Sequence, residues 1–445
     1  MIINIKIPNN NIPERKYIID ILFKEFLGIE YNIEQADVQF YKIIFKDKSI
    51  EIKDAFFNLF PEDLSYLKQE NIPAKVIFEE NQFTSEKNIP VLYGKINIEV
   101  SENIIKCGID IFASSFFMLT RWEEYVLQEK DKHGRTPDKL QLSVKHNFNE
   151  RPIVNEYVEM LRNMFSHLGI EIEKKHKYIP KITHDIDYFA RYDKFTKVLK
   201  AIGGDIFKRK SLSKAINTLK SYSKINKGKQ KDPYDTFNYL MDLSERYDLK
   251  SHFYFIPALL GEEDTQYNIN DEQVVKTMQH IKERGHIVGV HGAYCSYKNK
   301  DIFLKELKRF PFDIKITEGR QHFLRFENST TWQIQNDAGL KQDSTMGYVN
   351  HVGFRAGTCY EYSVFNILTR KKLNLKEQSL IVMEQALIKQ YSDRNKFYNK
   401  IIALKDIVKK YNGTFVILWH NNNFNVDEWS EYKDVYENVI MKLNS

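Results

Sequence analysis

The stretch Tyr178-Ile-Pro-Lys-Ile-Thr-His-Asp-Ile-Asp187 decides how we expect this chain to fold. It is a short apolar run that ends in two carboxylates, which is typical of a buried strand that carries acids to the rim of a sheet or barrel. Alternate side chains of a strand share a face, so Asp185 and Asp187 should point one way and His184 the other. Two carboxylates so near to each other either share a proton or hold a cation. A plain strand followed by an Asp-capped turn explains the same residues, and the stretch alone does not decide between these interpretations.

After this stretch, strands and helices alternate to the end of the sequence. This alternation predicts parallel strands in a barrel or doubly wound sheet, with the active site at the carboxyl ends of the strands. The apolar spacing in residues 1–175 predicts a separate, smaller α/β domain, with helices at Lys16–Gly28 and Phe112–Tyr125. The polar loop at residues 131–135 has no catalytic signature, and we expect the first domain to add binding surface but no chemical groups. The strands predicted for the second domain, residues 176–445, are 178–187, 251–257, 286–291, 315–321, 379–383 and 414–419.

The composition is that of a globular protein. Of the 445 residues 42% are hydrophobic and 13% aromatic, which argues against disorder. The three cysteines, Cys107, Cys295 and Cys359, are few and far apart, so we expect a reducing compartment and no disulfide framework. The N-terminus has no signal-peptide pattern, and no apolar run approaches the roughly 18 residues that cross a bilayer. We therefore predict a cytoplasmic protein without a transmembrane segment.

Positive charge is concentrated in residues 191–231. Thirteen of these residues are Lys or Arg and two, Asp193 and Asp205, are acidic, so the window carries +11 in a chain of net charge +6. The apolar spacing from Phe195 to Ile202 favours a helix, and we predict a basic helical insertion that covers or borders the site. Such a surface can attract an anionic lipid, a nucleic acid or a phosphorylated substrate. A solvated pair of helices without a partner explains the same charge.

Polar side chains follow five of the predicted strands. Because the carboxyl ends of parallel strands meet at one edge, we expect Asp185, Asp187, His291, His322 and His420 to converge on one cavity. Taken singly, His291 or His420 is more simply a structural histidine than a ligand. The full set at the strand ends is Asp185, Asp187, His291, Arg320, His322, Arg325, Glu384 and His420.

At these residues the sequence resembles a known family. Residues 178–445 are similar to the polysaccharide deacetylases of carbohydrate esterase family 4, in a divergent bacterial branch whose first motif matches Thr183-His-Asp-Ile-Asp187. The resemblance implies an incomplete (β/α) barrel, preceded by an uncharacterised domain, that removes N- or O-acetyl groups from sugars with a divalent metal ion. The family's second motif falls on His291-Gly-Ala-Tyr-Cys295, where a cysteine replaces the second histidine. Its third and last motifs fall on Arg320-Gln-His-Phe323, with His322 in a proline position, and on Leu418-Trp-His420.

The resemblance implies three kinds of role. Asp185 would be the catalytic base, Arg320 would orient it, and His420 would be the general acid. Cys295 could ligate zinc as a thiolate, and His322 could replace the missing ligand instead. The predicted ligands of the divalent metal ion, for which zinc is the expected element, are Asp187, His291 and His322. The predicted substrate-binding residues are Arg325, Arg355, Glu384 and Trp419.

We therefore predict a metal-dependent hydrolase that removes an acetyl group from a sugar or glycan precursor in surface polysaccharide metabolism. Its expected partner is a carbohydrate, either nucleotide- or lipid-linked, with peripheral membrane contact and without nucleic acid. Two metal-binding positions of the family are altered here, since its acid falls on Ile186, which leaves that role to Asp187, and its second histidine falls on Cys295. This leaves two alternatives open. One is a catalytically inactive, carbohydrate-binding relative, and the other is a different hydrolase or lyase on the same barrel.

Overall fold

The computed structural model describes residues 2–192, 195–208, 210–258, 264, 267–311 and 313–444. The first part of the chain contains a six-stranded mixed sheet in the order β2-β1-β3-β4-β8-β7 and a separate pair, β5-β6. Alternation in β1 buries Ile3, Ile5 and Ile7 on one face, as expected for a sheet with one face on the core. The strands are β1 Ile2–Ile7, β2 Glu30–Gln35, β3 Phe40–Phe45, β4 Lys48–Lys53, β5 Ile77–Glu79, β6 Ile89–Val91, β7 Gly94–Val100 and β8 Ile104–Ile109.

The second part contains a nine-stranded sheet, so the protein is a mixed α/β protein with a curled half-barrel. Its strand order is β14-β15-β13-β12-β11-β10-β9-β17-β16, and every neighbouring pair is parallel except β14 and β15. The carboxyl ends of the parallel strands therefore lie along one edge. The strands are β9 Ile179–Ile186, β10 Ser251–Phe255, β11 Ile287–Gly292, β12 Glu318–Gln321, β13 Gln342–Asp343, β14 Tyr362–Asn366, β15 Lys371–Glu377, β16 Val382–Met383 and β17 Thr414–Leu418.

The helices cover the sheets and join their strands. The α-helices are α1 Ile12–Ile19, α2 Ile111–Thr120, α3 Trp122–Val126, α4 Leu142–Lys145, α5 Ile153–His167, α6 Phe195–Gly203, α7 Leu212–Asn226, α8 Phe237–Arg246, α9 Glu272–Glu283, α10 Lys300–Leu307, α11 Thr331–Asp337, α12 Glu384–Ile388, α13 Arg394–Lys410 and α14 Lys433–Lys442. The π-helical segments Asp20–Leu27 and Gly204–Lys208 continue α1 and α6. Short 3₁₀ turns lie at Phe57–Leu59, Gln69–Asn71, Asp138–Leu140, Ser296–Lys298, His322–Leu324 and Asp427–Tyr432. None of the helices described is long and apolar enough to pass through a bilayer.

The two sheets share one continuous hydrophobic core. Two hydrogen bonds join helices of the first part to β14: Tyr17 donates to the carbonyl of Ser363 at 2.9 Å, and Tyr362 donates to that of Leu119 at 3.0 Å. The predicted domain boundary near residue 175 stays a prediction.

A buried ion pair also joins the two parts of the chain. The guanidinium of Arg355 donates to both carboxylate oxygens of Glu124, at 3.0 and 2.5 Å, and Arg121 donates to the same carboxylate at 2.9 Å. Burial disfavours a charged Glu124, but Arg355 and Arg121 outweigh it and lower the pKa of Glu124 to about 2. A charge removed from one side of such a pair leaves the other uncompensated.

We expect Arg355→Met to lower the free energy of unfolding by up to about 3–5 kcal/mol, the usual cost of breaking a buried ion pair, because Glu124 would keep only Arg121 as a cationic partner. Urea unfolding at neutral pH measures this loss, and Glu124→Gln with Arg355→Met should recover part of it. Because the folded pKa of Glu124 is depressed, its contribution is complete above about pH 4.5 and disappears as the pH falls towards 2. An unfolding difference between wild type and Glu124→Gln that did not shrink over that range would contradict this account.

Candidate functional site

Five polar side chains from the ends of four strands line one cavity of about 520 Å³. They are the residues expected from the sequence to converge: Asp185, Asp187, His291, His322 and His420. The alternation predicted along β9 is also present. His184 points away from the cavity and is fully buried, with Nδ1 2.7 Å from the carbonyl of Trp419 and Nε2 3.2 Å from the hydroxyl of Ser251. Burial lowers the pKa of His184 to about 3, so this imidazole is a neutral structural group.

Arg320, at the end of β12, holds Asp185 in place. Its Nη1 donates to Oδ1 of Asp185 at 2.8 Å and to the Thr183 hydroxyl at 3.0 Å. Its Nε and Nη2 donate to the carbonyl and hydroxyl oxygens of Ser344, at 2.9 and 3.0 Å. The guanidinium is almost completely buried. One oxygen of Asp185 is therefore fixed by Arg320, while Oδ2 faces Nε2 of His291 at 3.6 Å.

Asp187, His291 and His322 form a group with the geometry of a metal site. Oδ1 of Asp187 lies 3.5 Å from Nε2 of His291 and 3.6 Å from Nε2 of His322, and one ligand atom from each residue falls within 4.8 Å of the others. Two ligands about 2.1 Å from a tetrahedral zinc ion lie about 3.4 Å apart. The spacing and the donor set, one carboxylate and two imidazoles, therefore fit a divalent cation such as zinc.

Hydrogen bonding prepares His291 as a ligand. Its Nδ1 lies 2.9 Å from the carbonyl oxygen of Arg320, so Nδ1 carries the proton and donates it. Nε2 then keeps its lone pair and faces the two carboxylates, which is the usual arrangement of a metal-binding histidine.

The charges of the group reinforce one another. Burial disfavours the ionised form of Asp187, but His322, His291 and His420 outweigh it and hold the pKa of this carboxyl well below its ordinary value. Burial disfavours a charged His291 in the same way, while Asp185 and Asp187 raise its pKa. Asp187 is thus a carboxylate throughout the physiological pH range, as a cation ligand must be.

His420, which follows β17, is paired with the buried Glu384. Its Nδ1 lies 2.6 Å from Oε1 of Glu384, and its backbone N–H donates to the same oxygen at 3.0 Å. Nε2 points into the cavity, 3.7 Å from Oδ2 of Asp187. Burial disfavours the imidazolium, but the charge and hydrogen bond of Glu384 raise the pKa of His420 to about 10. His420 is therefore a proton donor at neutral pH.

His322 lies at the start of a strained turn. The next two residues, Phe323 and Leu324, have φ angles of 60° and 53°, a region that costs large side chains about 1–3 kcal/mol each. The loop at residues 131–135 supports this turn: Nη1 of Arg135 donates to the Phe323 carbonyl at 2.8 Å, and the His133 ring stacks on Phe323 at 4.5 Å.

This loop is the part of the site that the sequence interpretation missed. Lys132, His133 and Arg135 all line the cavity, although they belong to the predicted first domain. The only signal was the presence of His, Gly and Arg together in a loop, which is too common to identify a site.

The residues predicted to bind substrate lie behind the cavity wall. The Arg325 guanidinium lies over the rings of Tyr294 and Tyr297, at 3.8 and 4.0 Å from their centroids. Trp419 is fully buried in an aromatic cluster and donates to the carbonyl of Asn423 at 2.9 Å. Arg355 binds Glu124, and Glu384 binds His420, as described above. The substrate-binding roles of Arg325, Arg355, Glu384 and Trp419 stay predictions. Cys295 is exposed and lies outside the Asp187–His291–His322 group.

Comparisons with known proteins leave the site to be interpreted from its own geometry. Residues 3–169 match the Family of unknown function (DUF7033), a match that includes the loop at 131–135 and ends before β9. A comparison with curated proteins finds no match. Among solved structures, a candidate polysaccharide deacetylase from Mycobacterium smegmatis is 11% identical, with 61% of this chain and 87% of that chain covered. Its TM-score of 0.37 is too low to support an argument.

We expect the purified protein to bind about one divalent cation per chain, because the three residues of the group supply the ligands for one ion. His322→Ala and Asp187→Asn should each lower zinc affinity by at least about tenfold, because each removes a ligand. Isothermal titration with Zn²⁺ after chelation measures the affinity, and His280→Ala, on the exposed face of α9, is the matched control. Equal affinity in all four proteins would rule out this metal site.

We expect Arg135→Ala to weaken zinc binding by about tenfold, because it removes the support of the turn that positions His322. Lys139→Ala, an exposed cation of the same loop region, should have no effect. An Arg135→Ala protein that kept wild-type affinity would show that the turn holds His322 without the loop.

Proposed function

We propose that this protein is a metal-dependent hydrolase that removes an acetyl group from a sugar or glycan precursor. The observation that carries the proposal is the Asp187–His291–His322 group, flanked in one cavity by the carboxylate of Asp185 and the imidazolium of His420. A base and an acid beside a cation site are the groups that acyl transfer to water requires. The four motifs in which the sequence resembles the polysaccharide deacetylases support the same reaction.

Asp185 is the proposed general base. A divalent cation, when bound, would polarise the acetyl carbonyl and make an adjoining water more acidic. Oδ1 of Asp185 is held by Arg320, so Oδ2 is the oxygen that accepts a proton from the attacking water. Arg320 is thus a positioning residue, which fixes the carboxylate without touching the substrate.

His420 is the proposed general acid. As the C–N or C–O bond of the acetyl group breaks, Nε2 donates its proton to the departing amine or alkoxide, and acetate is released. Glu384 stabilises the imidazolium through Nδ1 and keeps Nε2 directed into the cavity. The proton that Asp185 took from water returns to solvent, and His420 is reprotonated for the next turnover.

The volume and charge of the cavity suit a carbohydrate that carries a negatively charged group. Its volume of about 520 Å³ lies within the usual range of ligand sites, about 300–1,000 Å³. Lys132 and Lys389 line the wall and give it positive charge, whereas the charge of Arg135 is balanced by Asp131. The two lysines suit the phosphates of a nucleotide- or lipid-linked sugar. The cytoplasmic location expected from the sequence stays a prediction.

We expect the zinc-loaded protein to release acetate from an N- or O-acetylated sugar, measured by a coupled acetate assay on free, nucleotide-linked and lipid-linked substrates. Asp185→Asn should lower kcat by about 10²–10⁴-fold, the usual contribution of a general base, with zinc affinity unchanged. His280→Ala should retain full activity.

Glu384→Gln should lower kcat and leave KM nearly unchanged, because Glu384 lies outside the cavity lining and pairs with the proposed general acid His420. The proposal is wrong if the protein binds zinc and binds sugars saturably but releases acetate from none of these substrates. That result would indicate an inactive carbohydrate-binding protein. Zinc binding without either property would point to different chemistry on this fold.

A further inference from the structure

Exposed apolar side chains are concentrated in the basic insertion. Of the 18 large apolar side chains that are exposed in the part of the chain described, seven lie within the 25 positions from 195 to 219. Their exposed fractions run from 38% for Ile206 to 83% for Phe207. The seven are Phe195, Leu199, Ile206, Phe207, Leu212, Ile216 and Leu219.

The spacing of these side chains makes two apolar stripes on helices. On α7, Leu212, Ile216 and Leu219 follow one another at i, i+4 and i+7, while Ala215 and Thr218 are buried on the adjoining face. On α6, Phe195 and Leu199 are exposed at i and i+4. A helix of a soluble protein normally turns its large apolar residues inward and its small or polar ones outward. Here α7 does the reverse.

The two helices form an ordered hairpin. The buried Asp205 accepts a hydrogen bond from the Thr218 hydroxyl at 2.8 Å, and its carbonyl accepts one from the N–H of Ser211 at 2.9 Å. Ser211 in turn caps the N-terminus of α7. The ring of Phe195 lies 5.8 Å from that of Tyr222, so α6 and α7 run back along each other. The apolar stripes are thus presented by a packed structure.

The positive charge of residues 191–231 determines which kind of partner can cover the apolar stripes. The thirteen basic and two acidic residues of 191–231 give the segment +11, although residues 193, 194 and 209 lie outside those described and Lys208 is described only in its backbone. A second copy of the same hairpin would bring like charges together, which opposes self-association. An anionic lipid surface matches both properties, since it offers phosphate groups to lysines and hydrocarbon to apolar side chains.

We propose that α6 and α7 dock this protein on an anionic membrane surface. The apolar stripes insert at the level of the headgroups, and the lysines beside them bind lipid phosphates. Charge alone had suggested peripheral membrane contact, and the exposed stripes identify the surface that makes it.

The base of the hairpin lies at the mouth of the cavity. The carboxylate of Asp232 accepts hydrogen bonds from the backbone N–H groups of Arg191 and Tyr192, at 2.8 and 2.9 Å. These bonds join the two ends of the insertion. Asn421, next to His420, donates to the carbonyl of Tyr188 at 2.9 Å, and Tyr188 lines the cavity. Docking would therefore hold the cavity near the membrane, where a lipid-linked sugar lies. That consequence rests on the proposed function, whereas the docking itself does not.

Co-sedimentation of the full chain with phosphatidylcholine vesicles, with and without phosphatidylglycerol, tests the proposal. We expect binding to the anionic vesicles that weakens as salt is raised. Leu199→Gln, Phe207→Gln, Leu212→Gln and Ile216→Gln together should lower the partition coefficient by at least about tenfold, and so should Lys200→Glu, Lys214→Glu and Lys220→Glu. These side chains are exposed, and circular dichroism checks that the variants stay folded. The matched control replaces four exposed apolar residues elsewhere: Leu59→Gln, Ile302→Gln, Leu368→Gln and Met441→Gln.

The proposal is overturned if the wild type does not bind anionic vesicles, or if the hairpin and control variants bind equally. It is also overturned if light scattering shows a wild-type dimer that the four glutamines convert to a monomer without any vesicle binding. In that case a second copy of the chain covers the stripes. Vesicle binding that persists in a protein without deacetylase activity would separate the docking from the proposed function.

Discussion

The site depends on the buried guanidinium of Arg320. Its side chain joins β12 to the end of β9 through Asp185 and Thr183, and to the segment after β13 through Ser344. Its backbone carbonyl, on the same residue, fixes the tautomer of His291. Arginine suits this position because its planar donors stay charged when buried and can satisfy several acceptors at fixed angles. Arg320 therefore positions both the proposed base, Asp185, and the proposed metal ligand His291.

The second constraint comes from outside the half-barrel. The turn after β12 carries two large residues in the left-handed region, and such a turn persists only when its surroundings hold it. Arg135 and His133 do so from the first part of the chain, and Asp131 fixes Arg135 in turn through an ion pair of 2.7 Å. The first part of the chain thus helps to build the site, and its helices α1 and α2 also contact β15 and β14 of the half-barrel.

The two imidazoles differ in state because a buried carboxylate lies behind His420 and a backbone carbonyl lies behind His291. Glu384 accepts three hydrogen bonds on Oε1: from the backbone N–H and from Nδ1 of His420, and from the side-chain amide of Asn423 at 2.7 Å. The charge and hydrogen bond of Glu384 raise the pKa of His420, which keeps this imidazole protonated. His291 instead gives its Nδ1 proton to a neutral carbonyl, which leaves Nε2 free to bind a cation. The difference between an acid and a ligand is made by the group behind each ring.

The sequence by itself determined the strand that ends in Asp185 and Asp187, the alternation that turns His184 away, and the meeting of polar groups at the ends of parallel strands. These are local properties, because side-chain alternation and strand direction follow from a few neighbouring residues. The tertiary structure alone decided that Arg325 and Arg355 are buried behind the wall, since their partners are far away in sequence. It likewise decided that the loop at 131–135 reaches the cavity. The spacing of apolar residues predicted helical structure from Phe195 onward, but which face would be covered depended on whether any other part of the chain packs there.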